Sequence, residues 1–150
     1  MIRLTPENIV KHWDIIKHAL VRGDMITPDQ RQSVLNDMLH ELLCERAQCF
    51  FRYGMDDRKI QSIIITKIQR NDRTLEKFLY IQCLYSFKVV KHTYWQEDWD
   101  FIKAFAKETD CHSILMNSYN VRVFKLLSRL GVKESYRTFL YNLNEEVSNE

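Results

Sequence analysis

Glycine and proline are scarce: the 150 residues hold three Gly and two Pro. That scarcity excludes collagen-like and linker-rich architectures, and it leaves few positions where a left-handed backbone comes without strain. No apolar run approaches the roughly 18 residues that a membrane-spanning helix requires. The opening MIRLTPENIVKHW also lacks the apolar h-region of a secretory signal. A soluble cytoplasmic protein without a membrane partner is the expectation. A dominant charge is missing too, because 22 Lys and Arg are interspersed with 20 Asp and Glu for a net charge of +2. That balance argues against a nucleic-acid partner. Cys44, Cys49, Cys83 and Cys111 follow no disulfide or zinc spacing, so reduced thiols packed as small apolar groups, and no metal, are expected.

What is present is a 45% apolar composition, enough for one globular domain over residues 1–150. Thr5-Pro6-Glu7 is a cap followed by proline, and Ile9, Trp13, Ile16 and Leu20 recur at helical spacing up to Gly23. A helix over 6–22 follows from that pattern. The same signal at Thr27-Pro28-Asp29 opens a second helix, with Val34, Leu35, Met38, Leu39 and Leu42 apolar and an end near Glu45. QCFFRYG and KIQSIIITKIQ are β-branched and aromatic, and the polar Met55-Asp56-Asp57-Arg58 between them suits a hairpin. KFLYIQCLYSFKVV, residues 77–90, reads as a central strand covered on both faces, completing an antiparallel meander.

Thr93 and Gln96 stand in capping-box register for a helix over 94–108, with Trp95, Trp99, Ile102 and Ala106 on one face. HSILMNS is a short strand. Asn120 caps a fourth helix with Val123, Phe124, Leu127 and Leu130 inward, Gly131 stops it, and ESYRTFLYNL alternates as a last strand. The order is α-α-β-β-β-α-β-α-β, an α+β arrangement.

That order resembles the GNAT superfamily of acyl-CoA-dependent N-acyltransferases. The residue-level likeness lies in the closing segment, where the family shows Asn, a small residue three on, Leu-Tyr at six and seven on, and Gly with an aromatic at eleven and twelve on. Those positions are Asn120, Val123, Leu126, Leu127, Gly131 and Val132. The resemblance implies a central, mixed but mostly antiparallel sheet flanked by four helices.

The family's chemistry matches less well. Its pyrophosphate loop uses glycines so that backbone amides approach phosphate oxygens at a helix N-terminus. The corresponding FKVVKHTYWQED has no glycine, places Tyr94 and Trp95 in the first turn, and adds the anion-repelling Glu97 and Asp98. Leu127 stands where a tyrosine protonates the departing thiolate, and Tyr119 and Tyr136 are the nearest replacements. No Asp or Glu occurs between Lys77 and Gln96 or between Cys111 and Lys133, which leaves His92 and His112 as bases. Arg122, Lys125, Arg129, Lys133 and Arg137 form a basic stripe that suits either solvation or an anionic contact.

With those departures, the resemblance implies a GNAT-fold protein that has lost acyl-CoA catalysis, needs no cofactor, and works through protein contacts. Its partner is another protein, a second copy of itself, or a virion assembly, since such domains occur among phage structural and morphogenesis factors. Its location is then the host cytoplasm or the virion. The alternative is an active N-acetyltransferase. In that case Lys88, Lys91, His92, Thr93 and Asn120 hold acetyl-CoA, a splay after Ser86 presents the thioester, and His92 and Tyr119 are the catalytic candidates.

Overall fold

The computed structural model describes residues 1–23, 26, 28–118 and 120–135. Within them the chain runs β1 (Ile2–Arg3), α1 (Pro6–Lys11), α2 (Trp13–Gly23), α3 (Arg31–Leu43), β2 (Ala47–Tyr53), β3 (Ile60–Arg70), β4 (Lys77–Ser86), α4 (His92–Glu108), β5 (Ser113–Met116) and α5 (Val121–Arg129). It divides into two compact units, Met1–Asn117 and Ser118–Glu150.

In the first unit the five strands form one sheet in the order β1-β2-β3-β4-β5. The first four pair antiparallel, and β4 pairs parallel with β5. The α+β class and the expected meander are therefore present, in a mixed, mostly antiparallel sheet. β1 was not foreseen: two residues opposite Phe51 and Phe50 are too few to show a period. The strands covered on both faces are β2, buried from Ala47 to Arg52, and β3, buried from Ser62 to Thr66, and not β4, whose burial alternates.

The helix expected over 6–22 is two helices, broken at His12. Its ring stands edge-on to Phe51 at 5.5 Å, and the Ile15 amide donates back to the His12 carbonyl in a tighter turn. Ile9 and Ile16 are both buried, so the apolar spacing continues across the break and periodicity does not register it. Among the described residues the helix count is thus five and not four. The second expected helix begins at Arg31, later than its proline signal, with Gln30 at the cap making no side-chain bond. It ends where Glu45 turns to φ 58, a left-handed value that no helix continues through.

The sheet has a core on each face. Phe51, Ile63, Ile65 and Cys83 pack with Ile9, Ile16, Leu20, Met38 and Leu42 on the face of α1 to α3. Phe50, Ile64, Leu79 and Ile81 pack with Ile102 and Ala106 of α4 on the other. Burial pushes the Cys49 thiol up, and the neighbouring Cys83 adds to the shift, so this thiol stays protonated and behaves as an apolar group. No disulfide links the four cysteines among the described residues.

One irregularity in β4 decides which residues face which core. Ile65 pairs with Cys83 but Thr66 pairs with Ile81, so Gln82 is an extra residue in the ladder. A residue inserted in this way transfers every later side chain to the opposite face. Leu79 and Ile81 consequently point toward α4, while Cys83 and Tyr85, at the same alternation, join the core on the α2 side.

The second unit, taken by itself, is α5 and its caps. Asn120 Oδ1 accepts from the Arg122 amide at 2.9 Å. At the other end Gly131 takes φ 81, its amide donates to Ser128, and the Val132 amide donates to Leu127. That pair of bonds is the Schellman closure, which glycine makes without strain. Val123, Leu126, Leu127 and Leu130 are half-buried, but Phe124, expected inward, lies at the margin of that stripe and is 48% exposed. The last expected strand, from Tyr136 onward, lies outside the described residues, as do Arg137 and Tyr119.

Gly23 provides a test of how α2 is seated on β4. A Cβ there would stand 2.9 Å from Cys83 Sγ. Gly23→Ala is expected to cost roughly 1–3 kcal/mol by overpacking. Combining it with Cys83→Ala is expected to recover part of that loss in a double-mutant cycle measured by urea unfolding. Strict additivity would contradict the close approach.

Candidate functional site

The pairing of β4 with β5 runs from Phe78 opposite Ser113 to Ile81 opposite Met116. β5 stops there, while β4 continues from Gln82 to Ser86. The expected opening between these strands therefore begins at the Gln82 bulge and not after Ser86. β4 also ends at Ser86 and not at residue 90. There the Ser86 hydroxyl donates to the Lys88 carbonyl and the Phe87 amide donates to Gln61.

Residues 87–91 lead into α4. The helix starts at His92, with Lys91 as an extended N-cap at φ −60 and ψ 144, and no side chain caps it. Thr93 consequently lies inside the first turn and forms no capping box. Gln96 instead donates to Asp100 at 3.3 Å. Lys88, Lys91, His92 and Thr93 are all exposed around this uncapped terminus. Lys88 Nζ meets Asp57 Oδ2 at 3.1 Å. The Lys59 amide and then Lys88 hold the Asp57 carboxyl below its ordinary range.

The carboxylates that were expected to repel an anion are engaged elsewhere. Arg52 of β2, 9% exposed, donates from Nε to Asp98 Oδ1 at 2.6 Å and from Nη2 to Glu97 Oε2 at 3.0 Å. It also reaches the Tyr94 carbonyl at 3.3 Å, with its guanidinium 5.1 Å from the centre of the Tyr94 ring. Ser62 Oγ donates to Asp98 Oδ2 at 3.5 Å. Burial pushes the Asp98 carboxyl above its ordinary range, and Arg52 limits the rise. Burial works to lower Arg52, but hydrogen bonds and charge from Asp98 and then Glu97 outweigh it and hold the guanidinium above its usual value. One buried cation thereby offsets one of the two negative charges in the α4 first turns, and the Tyr94 ring lies over Arg52.

Across the sheet, His18 of α2 meets the end of β4. His18 Nε2 lies 3.3 Å from the Tyr85 hydroxyl, with the rings edge-on at 5.7 Å. Phe87 stacks on His18 at 6.0 Å and stands edge-on to Tyr85 at 5.0 Å.

Of the residues singled out from the sequence, Lys88, Lys91, His92 and Thr93 are together at the entry to α4. Asn120 is in the second unit as a helix cap, and Tyr119 lies outside the described residues. His112 is exposed at the start of β5, its amide donating to Lys77 at 2.8 Å. Sequence reasoning missed the Arg52–Asp98 pair and the His18–Tyr85 pair, because each joins elements far apart in the chain. The only local hint of the first was an arginine inside the apolar CFFRY, which calls for a buried partner.

Solved structures share this architecture. One is a predicted acetyltransferase with acetyl-CoA from Clostridium acetobutylicum, 14% identical, with a TM-score of 0.73 and 97% of each chain covered. An aminoglycoside 6'-N-acetyltransferase from Acinetobacter haemolyticus is 16% identical at a TM-score of 0.69, covering 95% of this chain and 97% of its own. A glucosamine-6-phosphate N-acetyltransferase from Arabidopsis thaliana is 11% identical at 0.64, covering 95% and 96%. The fold is GNAT-like. No family model matches the chain, and no curated protein matches it by sequence. The GNAT-like fold frames the test of whether the residues around α4 suit an acyl-CoA. Lys91, His92 and Thr93 are exposed at a helix terminus that no side chain caps, Lys88 is paired with Asp57, Arg52 is shared by Glu97 and Asp98, and no glycine opens the loop.

Removing Arg52 tests the anchor. Arg52→Met leaves Asp98 buried without its cation, and a loss of about 3–5 kcal/mol is expected at neutral pH. The folded-state carboxyl of the variant sits above its unfolded value, so the penalty is absent below the unfolded value and grows as pH rises through that range. Urea unfolding of both proteins at acid and neutral pH is expected to show the deficit narrowing in acid. A deficit independent of pH would contradict a charge-based role.

Proposed function

We propose that this chain is an acyl-CoA-dependent N-acyltransferase, the second of the two readings the sequence left open. The observation that carries it is the uncapped, basic N-terminus of α4 with Glu97 and Asp98 paired to Arg52. That pairing offsets one of the two negative charges that would repel an anion there. Lys88, Lys91, His92 and Thr93 would hold the phosphates, and the β4 edge from Gln82 to Ser86 would receive the extended arm of the donor. When bound, the donor supplies an activated thioester. What the chain supplies is orientation and backbone amides, which suffice to accelerate attack by a positioned amine.

A second reading, a GNAT-fold module acting through protein contact, is favoured by a different observation. Leu127 offers no proton where the family has tyrosine, and the segment from Cys111 to Lys133 has no carboxylate. A virion or self-association role belongs to this reading. The two separate on donor binding.

Acetyl-CoA at a hundredfold excess over its dissociation constant stabilises a native protein by about 2.7 kcal/mol. A rise in melting temperature with millimolar acetyl-CoA is expected. Lys91→Glu combined with His92→Glu is expected to weaken binding by about tenfold or more, since charge-assisted bonds contribute roughly 1.5–3 kcal/mol each. An unchanged melting temperature in the native protein would remove the acyltransferase reading and leave the contact module.

A further inference from the structure

We infer that Tyr85 and His18 form the acceptor side of this site, where the Tyr85 hydroxyl meets a primary amine and passes its proton to His18. The inference rests on the acyltransferase reading. Its carrier is the juxtaposition of the Gln82 bulge, the end of β5 and the His18–Tyr85 hydrogen bond of 3.3 Å.

The face of β4 is what makes the pair suitable. The donor's phosphates would lie at the N-terminus of α4, and α4 packs on the Ile64, Leu79 and Ile81 side of the sheet. An acceptor cannot share that space, so it must reach the β4 edge from the α2 side. The bulge turns Tyr85 to that side, four residues beyond Ile81, the last residue that β5 covers. Paired without a bulge, the same sequence would turn Tyr85 toward α4 and away from His18. Phe87 packs against both rings and fixes them against each other.

The chemistry needs a group that takes a proton as the nitrogen becomes an amide. In the tautomer protonated at Nδ1, His18 Nε2 accepts from the Tyr85 hydroxyl. As the neutral amine bonds the acyl carbon and the carbon–sulfur bond breaks, one amine proton moves to the Tyr85 oxygen and the Tyr85 proton moves to His18. The thiolate leaves with the bonding pair and takes a proton from water, and His18 then returns its proton to solvent. Imidazole suits this because its ordinary titration lies near neutrality. Asp14, Lys17 and Arg22 flank His18 within about one turn of α2, Asp14 and Lys17 are paired at 2.9 Å, and Tyr85 faces it from β4.

The test uses the full chain in three measurements. Acetyl-CoA is expected to raise the melting temperature in the native protein, Tyr85→Phe and His18→Gln alike, because the donor would meet the β4 backbone and the α4 terminus and not these two side chains. Thiol release from acetyl-CoA with spermidine, tyramine or a short serine-initiated peptide is expected from the native protein and to fall about 100-fold or more in each variant. Ring resonances of His18, followed by NMR without donor, are expected to titrate at the pH of the acid limb of the rate profile. Donor binding without amine-dependent release in the native protein overturns this inference and leaves the donor reading intact. So does His18→Gln at native rates, or an acid limb that fails to follow His18. Absence of donor binding overturns the acyltransferase reading on which the inference rests.

Discussion

The extra residue at Gln82 is the constraint on which both halves of the site depend. β4 carries apolar or aromatic side chains at Leu79, Ile81, Cys83 and Tyr85, an uninterrupted alternation that would put all four on one face of a regular strand. The bulge divides them, two to the α4 core and two to the α2 core. Each core receives the apolar area it needs, at about 25 cal/mol per Å² buried. The division also coincides with the last β4–β5 pair, so the strand that fills both cores has an edge that β5 does not follow.

A second constraint is electrostatic. α4 presents its N-terminus beside the end of β4, and two acidic residues in its early turns would make that terminus a poor place for an anion. Arg52 resolves the conflict from the opposite direction in the sheet, satisfying Asp98, Glu97 and the Tyr94 carbonyl at once. A buried ion pair of this kind is weak support for stability by itself, since desolvation offsets much of its attraction. Its consequence here lies in geometry: it fixes the rotation of α4 and leaves Lys91 and His92 outward.

Features governed by local chemistry were legible in the sequence. The β-branched run SIIITKI could hardly be anything but a strand, and Asn120 and Gly131 form the caps they appear to be, closed by the Arg122, Gly131 and Val132 amides. The order of elements was sufficient to identify the fold. What escaped was set by contacts between distant residues. The break at His12 is held by Phe51, the start of α4 at His92 ignores the Thr93–Gln96 pattern, and the bulge is invisible because Gln82 looks like an ordinary outward residue of an alternating strand. The site suffered most. Arg52 with Asp98, and His18 with Tyr85, are separated by 46 and 67 residues, and no spacing rule reaches so far.

The account stands on acyl-CoA occupying the β4 edge and the α4 terminus together. Amide NMR of the full chain titrated with acetyl-CoA tests it directly. Perturbations are predicted to concentrate at Gln82 to Ser86 and at Lys91 to Tyr94, with the buried amides of β3 unmoved. No perturbation at millimolar acetyl-CoA, or one confined to residues away from both segments, would contradict it.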